Sequence, residues 1–549
     1  MNRDKLKADF EAAQTLQAAG RLAEAERLWL DLDAAMPGHV GVLTNLASVQ
    51  LQLGRPDAAE ASAGRALERQ PDLLPALQIH AAAAEAQGAV AEAAQRFERV
   101  LALQPDAIPV LTAVARLHRR HEDWAQARRH AERLAALAPD RAAHHDLLGA
   151  ISLAMNDLAA AEAAFGRALA IDPALASARA NLGAVFAERR QWGRALEHLD
   201  AALASDASAA EAHNNRGNAL AGLARAEEAE AAFARALELD PGFADAAFNL
   251  ALVRLRQGHW AESWPGFERR WETRQMAPFR RDLGVPRWDG SEAPGLTLLI
   301  HAEQGMGDMM MMARYFAMAS ARVGRLVVEC QPELAPLLAA MQGGFDIVAA
   351  GDALPAFDLE LPAMSLPAVF GTEPGNVPWS GPYLRVPESG ASLDGAGRKV
   401  GLVWAGNPRN PTDAERSLDA SLLAPLLAVP GCTFFSLQWG APGDRLQAAG
   451  LAGGVHDLRP RLTDFAATAA LVAELDLVIS ICTSVAHLAG GMGKPLWLML
   501  ASGADWRWLE SGDATPWYPA ARLFRQQTPG DWGGVVEQIA AALKAEAGE

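Results

Sequence analysis

Cysteine is scarce in this chain: Cys330, Cys432 and Cys482 are its only three among 549 residues. They lie far apart, match no metal-ligand spacing and build no disulfide framework, which suits a reducing compartment. Long apolar runs are missing too, since none approaches the roughly 20 residues that a membrane helix needs. The opening MNRDKLKADFEAAQ is charged throughout, unlike a secretory signal. A cytoplasmic protein without membrane insertion is the expectation. Positive charge is in deficit: 49 Lys and Arg face 66 Asp and Glu, a formal net charge of -17. A chain this acidic is a poor partner for phosphate backbones, so no nucleic acid is expected as a ligand. What is present in quantity is hydrophobic material, 50% of all residues, enough for two to four domain cores.

Self-similarity dominates the first half. Pro37, Pro71, Pro105, Pro139, Pro173 and Pro241 fall on one 34-residue grid, with Ala207 at the missing node. A second phase is always small: Ala47, Ala81, Ala115, Gly149, Gly183, Gly217 and Ala251. A third reads Ala25, Ala59, Ala93, Ala127, Ala161, Ala195 and Ala229, closed by Ser263. Gly20, Gly54, Gly88 and Gly258 fall where a turn between paired helices belongs. Antiparallel helices approach closely only where side chains are small, and proline is tolerated at a helix start, where its missing N–H would be unpaired anyway. A 34-residue helix–turn–helix unit of this pattern resembles the tetratricopeptide repeat, over about eight units. The resemblance implies an α-solenoid with an extended concave surface.

One further phase of the grid reads Asn45, Ile79, Ala113, Leu147, Asn181, Asn215 and Asn249. An amide both donates to and accepts from a peptide unit. Four asparagines on one phase would therefore hold an extended polypeptide without demanding a particular sequence. The arrangement is similar to the asparagine ladder of the protein O-GlcNAc transferases; the alternative is that asparagine is simply common at this phase. Trp124, Trp192 and Trp260 share another phase and read as packing residues at helix starts. The last repeat helix is expected to end near Arg274. The connector that follows, with Trp264, Trp271 and Trp288 among arginines and prolines, reads more readily as interface cement than as a substrate site.

From residue 296 the periodicity becomes strand-like. Predicted strands are 296–302, 324–330, 345–349 and 357–361, then 399–406, 432–438, 475–482 and 494–500. Continuous apolar strands alternating with helices imply buried parallel sheets, and the Pro/Gly-rich stretch between the two sets implies two Rossmann-like lobes. The predicted layout is a repeat superhelix over 1–273, a connector over 274–295, an acceptor-side lobe over 296–396 and a nucleotide-sugar lobe over 397–549. Ligands of such sheets bind at the carboxyl ends of strands. There HAEQGMGD brings Gly305 and Gly307 before a helix opening near Asp308. Glycines admit a phosphate or sugar to the backbone. Asp308 is either a proton acceptor or a helix N-cap. VWAGNPRN sets Trp404, Asn407 and Arg409 past a strand end; Arg416 faces a diphosphate in this reading, and Gln438 ends the next strand. Thr483 and Ser484 open a helix that suits a nucleotide diphosphate, with His487 one turn in, a residue that by itself reads as structural.

As an ordered set these segments resemble GT-B glycosyltransferases related to bacterial heptosyltransferases, in the branch fused to tetratricopeptide repeats. HAEQGMGD matches that branch's acidic motif and gives Asp308 the catalytic place. VWAGNP and the S-x-x-T-x-x-A-H segment match its donor half, which puts Thr483, Ser484 and His487 near the donor phosphates. DWRWLE, TPWYP and LFRQ match near the end. The resemblance implies an inverting transfer of sugar from a nucleotide-sugar to Ser or Thr of a bound protein. Flagellin is a plausible acceptor, because some repeat-fused relatives modify it with nonulosonic sugars. No Asp-x-Asp pair ends a catalytic-half strand, so neither an essential metal nor a cofactor is expected. Two departures stand out: Cys482 replaces the usual aspartate, and Met309–Met312 replace a mixed run. They point to another donor sugar, a soft wall to the site, or weakened catalysis. The rival functions are a repeat scaffold with a degenerate transferase domain and a lipopolysaccharide glycosyltransferase.

Overall fold

The structure, a computed structural model, describes residues 3–303, 305–386, 391–410 and 413–547. Sixteen helices among the described residues build the repeats, and after the first, Arg3–Ala18, their starts keep the 34-residue spacing. First helices of successive repeats begin at Val40, Leu74, Ile108, Ala142, Ala176, Ala210 and Ala244, and second helices at Leu22, Pro56, Val90, Trp124, Leu158, Trp192, Ala226 and Trp260. The small phases are where the helices of a pair meet. An added Cβ would stand 2.5 Å from Phe165 at Gly149, 2.6 Å from Leu199 at Gly183, and 2.5 Å from Phe233 at Gly217. The alanines at 25, 59, 93, 127, 161, 195 and 229 are fully buried.

The prolines do a different job from the one expected. Pro71 lies two residues beyond Arg69, the last of its helix, in the turn before Leu74, and so marks a helix end. Its ring fixes φ and cannot continue a helix, so it stops one unit sharply before the next. Within each pair the turn needs a left-handed residue. Gly20, Gly54, Gly88 and Gly258 supply it, but Glu122, Asn156, Arg190 and Ala224 occupy the same phase with φ between 56° and 59°.

Contacts divide the chain into Met1–Asn215 and Arg216–Glu549. The second unit carries the end of the repeat array together with two parallel sheets. One contains β1 (Ala293–His301), β2 (Val323–Cys330), β3 (Phe345–Ala349) and β4 (Leu359–Pro362), in the order β3-β2-β1-β4. The other contains β5 (Arg398–Val403), β6 (Cys432–Ser436), β7 (Val455–Asp457), β8 (Leu477–Ile481), β9 (Leu496–Leu500) and β10 (Ala521–Arg525), in the order β10-β9-β8-β5-β6-β7. In the second sheet the chain runs outward in both directions from β5, which puts the topological switch between β5 and β8. β8 and β9 are buried along their whole length, as continuous apolar strands require.

The last repeat is welded to the α/β part. Helix Trp260–Glu268 continues as a 3-10 turn to Glu272, close to the predicted end. Trp260 stacks on Trp517 with centroids 5.1 Å apart and meets Trp506 edge-on at 6.0 Å, while Trp264 Nε1 donates to the Thr372 carbonyl at 2.8 Å. Trp271 and Trp288 are buried as well, as interface cement should be. Beneath this aromatic layer Arg270, 1% exposed, donates Nε and Nη2 to the two carboxylate oxygens of Glu303, both at 2.9 Å. Glu303 also accepts from the Met364 amide at 2.8 Å. A buried pair of this kind costs desolvation and is tolerable only because every oxygen is matched.

Candidate functional site

The segment after β1 turns at Gly305, which caps helix Met306–Met312. Asp308 is therefore inside the first turn and is not the N-cap itself, although its carboxylate accepts from the amide of the N-cap Gly305. Its Oδ1 also accepts from Arg507 Nη2 at 2.6 Å, across 199 residues of sequence. Arg507 Nη1 donates to Asp505 Oδ1 at 2.7 Å, so one guanidinium serves two carboxylates. Their environments part them. Burial pushes the Asp308 carboxyl above its ordinary range, with Arg507 pulling the other way. At Asp505 burial acts in the same upward sense, but Arg507 outweighs it and holds that carboxyl below its usual range. Asp308 keeps 19% of its side chain accessible. A carboxylate that is partly open and more basic than normal can take a proton from a neighbouring hydroxyl.

The methionines behind Asp308 form no wall to a cleft. Met309, Met310, Met311 and Met312 are at most 1% exposed and belong to the core. Gly307 is a point of close approach: an added Cβ would lie 2.7 Å from His487 Cδ2 and 3.3 Å from Ser484 Cα. Helix Met306–Met312 and helix Ser484–Gly491 thus abut at their N-terminal turns, one from each sheet's flank. Thr483 is the N-cap of the second helix, and its hydroxyl lies 3.1 Å from Ser480 Oγ with no side-chain cap bond. Amides of a first turn carry partial positive charge and favour anions. His487 is buried beneath that turn. Its Nδ1 pairs with Tyr518 Oη at 2.8 Å and its ring stacks on Trp508 at 5.4 Å. Burial drives its pKa down to about 3, so the imidazole is neutral. A neutral, enclosed ring is a packing pin, in line with the structural reading of a lone helical histidine.

At the switch between β5 and β8 the expected residues separate into two kinds. Asn407 and Arg409 are exposed, with Asn407 Oδ1 accepting from the Arg409 amide at 3.0 Å. Arg416 reaches from Asp413 Oδ1 (3.1 Å) to the Cys482 carbonyl (3.2 Å), bridging the ends of the two loops. Trp404 and Gln438, expected at the donor, are instead internal. Trp404 is fully buried in the core of the second sheet. Gln438 Oε1 accepts from the amides of Trp404 and Ala405, and its Nε2 donates to the Ala405 and Trp439 carbonyls. Its amide is spent on holding the loop after β5. Cys482 Sγ accepts from Trp508 Nε1 at 3.1 Å, and burial pushes its thiol up to about 11. That thiol is inert packing, not a thiolate.

Two residues escaped the sequence reading. Arg507 lies inside the quoted DWRWLE, but nothing local says that its partner is Asp308. Trp439 directly follows the strand that Gln438 was expected to end; it is 73% exposed and lies just past the carboxyl end of β6, which neighbours β5. An indole left in water at a strand's carboxyl end is a flat stacking platform. Among the asparagines, Asn45, Asn181, Asn215 and Asn249 all sit half-buried on the first helices of their repeats. Asn181 already hydrogen-bonds Asp146, which also accepts from Ser177 Oγ at 2.9 Å.

Tetratricopeptide repeat models match residues 40–73 and 210–243. Protein FlbA of Caulobacter vibrioides is 29% identical over 336 residues, 54% of this chain and 54% of FlbA, so the chain spans about half the length of this curated relative. Among solved structures, a tetratricopeptide repeat protein from Parabacteroides merdae is matched at 16% identity and a TM-score of 0.36, covering 46% of this chain and 99% of that one. MamA from Desulfovibrio magneticus is matched at 19% identity and a TM-score of 0.27, covering 32% of this chain and 97% of that one. No helix among the described residues is long and apolar enough to cross a membrane. The chain is a tetratricopeptide-repeat-containing protein with an α/β part of two parallel sheets.

Proposed function

We propose that this protein transfers a sugar, with inversion, from a nucleotide-sugar to a Ser or Thr hydroxyl of a polypeptide held by its repeats. Tetratricopeptide repeats are protein-binding modules, and that part of the reading follows from the architecture. The observation that carries the transferase reading is Asp308: a partly open carboxyl, made more basic by burial, beside two abutting helix N-termini. In the reaction the acceptor oxygen bonds to the anomeric carbon as the bond from that carbon to the donor phosphate breaks. The hydroxyl proton goes to Asp308. The negative charge on the departing phosphate falls on the amides at Thr483 and Ser484, with Arg409 at the rim. Arg416 shapes the loop, and Trp439 offers a face to the nucleobase.

Flagellin is the first acceptor to try. The test mixes purified full chain, flagellin and UDP-, GDP-, ADP- and CMP-sugars, then weighs the acceptor by mass spectrometry. A mass gain that disappears in Asp308→Asn is expected. An unchanged mass with every donor, or full activity in Asp308→Ala, defeats the proposal. One observation favours the scaffold alternative: Cys482 offers no carboxylate at the end of β8, and its sulfur is occupied by Trp508. Under that reading a protein partner binds while no nucleotide-sugar shifts the melting temperature.

A further inference from the structure

Away from the two sheets, three side chains converge in the repeats of the first unit. Glu98 comes from helix Val90–Leu103, His118 from helix Ile108–Arg120 and His130 from helix Trp124–Leu137. One ligand atom from each lies within 4.8 Å of the others. His130 Nε2 is 2.6 Å from Glu98 Oε1, and His118 Nε2 is 3.6 Å from the same oxygen. We infer that Glu98, His118 and His130 form a binding site for a divalent transition metal of the zinc type, linking two adjacent repeats.

Four features support it. The His118 Nε2 atom is buried without a hydrogen-bond partner, although Glu98 Oε1 lies 3.6 Å from it and the His130 ring 5.7 Å away, centroid to centroid. An unmatched polar atom in that position calls for a partner. On its other side, Asp123 Oδ2 lies 3.4 Å from His118 Nδ1. A carboxylate there favours a proton on Nδ1 and leaves the Nε2 lone pair for a metal, as the outer shell of zinc sites does. Around a tetrahedral ion with bonds of about 2.1 Å, ligand atoms sit about 3.4 Å apart. The His118–Glu98 distance fits as it stands, and the His130–Glu98 distance must open by several tenths of an ångström. Two imidazoles and one carboxylate match the donor preference of zinc, with a fourth place left for water.

Arg129 holds the position of the cation meanwhile. Its Nη2 lies 3.2 Å from both Glu98 Oε1 and His130 Nε2, and its side chain is 61% exposed, so it can swing out. The test titrates zinc chloride into metal-stripped full chain by calorimetry, and cobalt(II) by visible absorption. One saturable equivalent with tetrahedral cobalt bands is expected. Both should vanish in the His118→Asn/His130→Gln double variant, whose circular dichroism reports whether the repeats still fold. Arg129→Ala removes the competing cation and should tighten zinc binding by about tenfold or more. The inference is overturned if the folded double variant takes up the same zinc. It is equally overturned if neither the natural chain nor Arg129→Ala shows a saturable equivalent.

Discussion

Replacing Gly307 by alanine tests whether the two lobes are held at the distance the site requires. The new methyl would meet His487 Cδ2 at 2.7 Å, closer than real Cβ contacts, and Ser484 Cα at 3.3 Å. His487 cannot yield easily, because its ring is buried, stacked on Trp508 and hydrogen-bonded to Tyr518. Overpacking of this sort costs about 1–3 kcal/mol. His487→Ala alone leaves a cavity and takes one of two partners from the buried Tyr518 hydroxyl, which keeps Tyr383, a loss of about 2–4 kcal/mol. Together, however, the trimmed residue makes room for the added methyl. The double variant should therefore be more stable than the sum of the single effects by about 1–2 kcal/mol, the sign expected of residues that share one space. The assay is a double-mutant cycle in denaturant, followed by near-ultraviolet dichroism of the tryptophan cluster, since a chain of two units need not unfold in one step. Strict additivity, or a double variant worse than the sum, would refute the close approach of the two helix N-termini.

Four further outcomes are expected. Ala224 sits at φ 58° in an exposed repeat turn where four of its counterparts, Gly20, Gly54, Gly88 and Gly258, are glycine; Ala224→Gly should stabilise the array by about 0.5–1 kcal/mol, since relief of left-handed strain exceeds the added freedom of the unfolded chain. Gly54→Ala, where the methyl meets nothing within 4 Å, should lose about 1 kcal/mol by the same reasoning in reverse; thermal melts of both decide it. Transferase activity should fall on the acid side, because the base must be unprotonated, and burial of Asp308 moves that limb above the ordinary carboxylate range. A kcat/KM profile whose acid limb lies at or below that range would remove Asp308 from the role. Trp439→Ala should weaken binding of the preferred nucleotide by about tenfold through lost base stacking without moving the melting temperature, as its indole is largely in water; calorimetric titration reads both the affinity and its independence from folding.

How far the sequence could be read depended on how local each signal was. A 34-residue period repeated along half the chain leaves little freedom, and helix starts fall on its grid residue by residue. The prolines kept the right period but the wrong place, because a residue just past one helix and just before the next looks alike in both roles. Apolar strands with continuous burial, β8 and β9 above all, were visible as runs. β7 was not, being three residues with two of them polar, nor was β10, where Arg522 and Arg525 flank the apolar pair Leu523 and Phe524. Gln438 looked like a ligand residue because a polar side chain at a strand end has no evident duty there. Its duty is to the amides of Trp404 and Ala405, which sit on a different strand's loop and leave no mark in the neighbouring sequence. Arg507 is the opposite case. It lies in DWRWLE, which enters the resemblance only as a matching segment with no role for the arginine, yet its charge is what holds both Asp308 and Asp505 in place. The motif around Asp308 thus names a carboxylate, while its basicity is a balance between burial, which raises it, and an arginine contributed from the other lobe, which lowers it. Any change in how the lobes close would move Arg507 relative to Asp308, and with it the proton affinity on which the proposed chemistry depends.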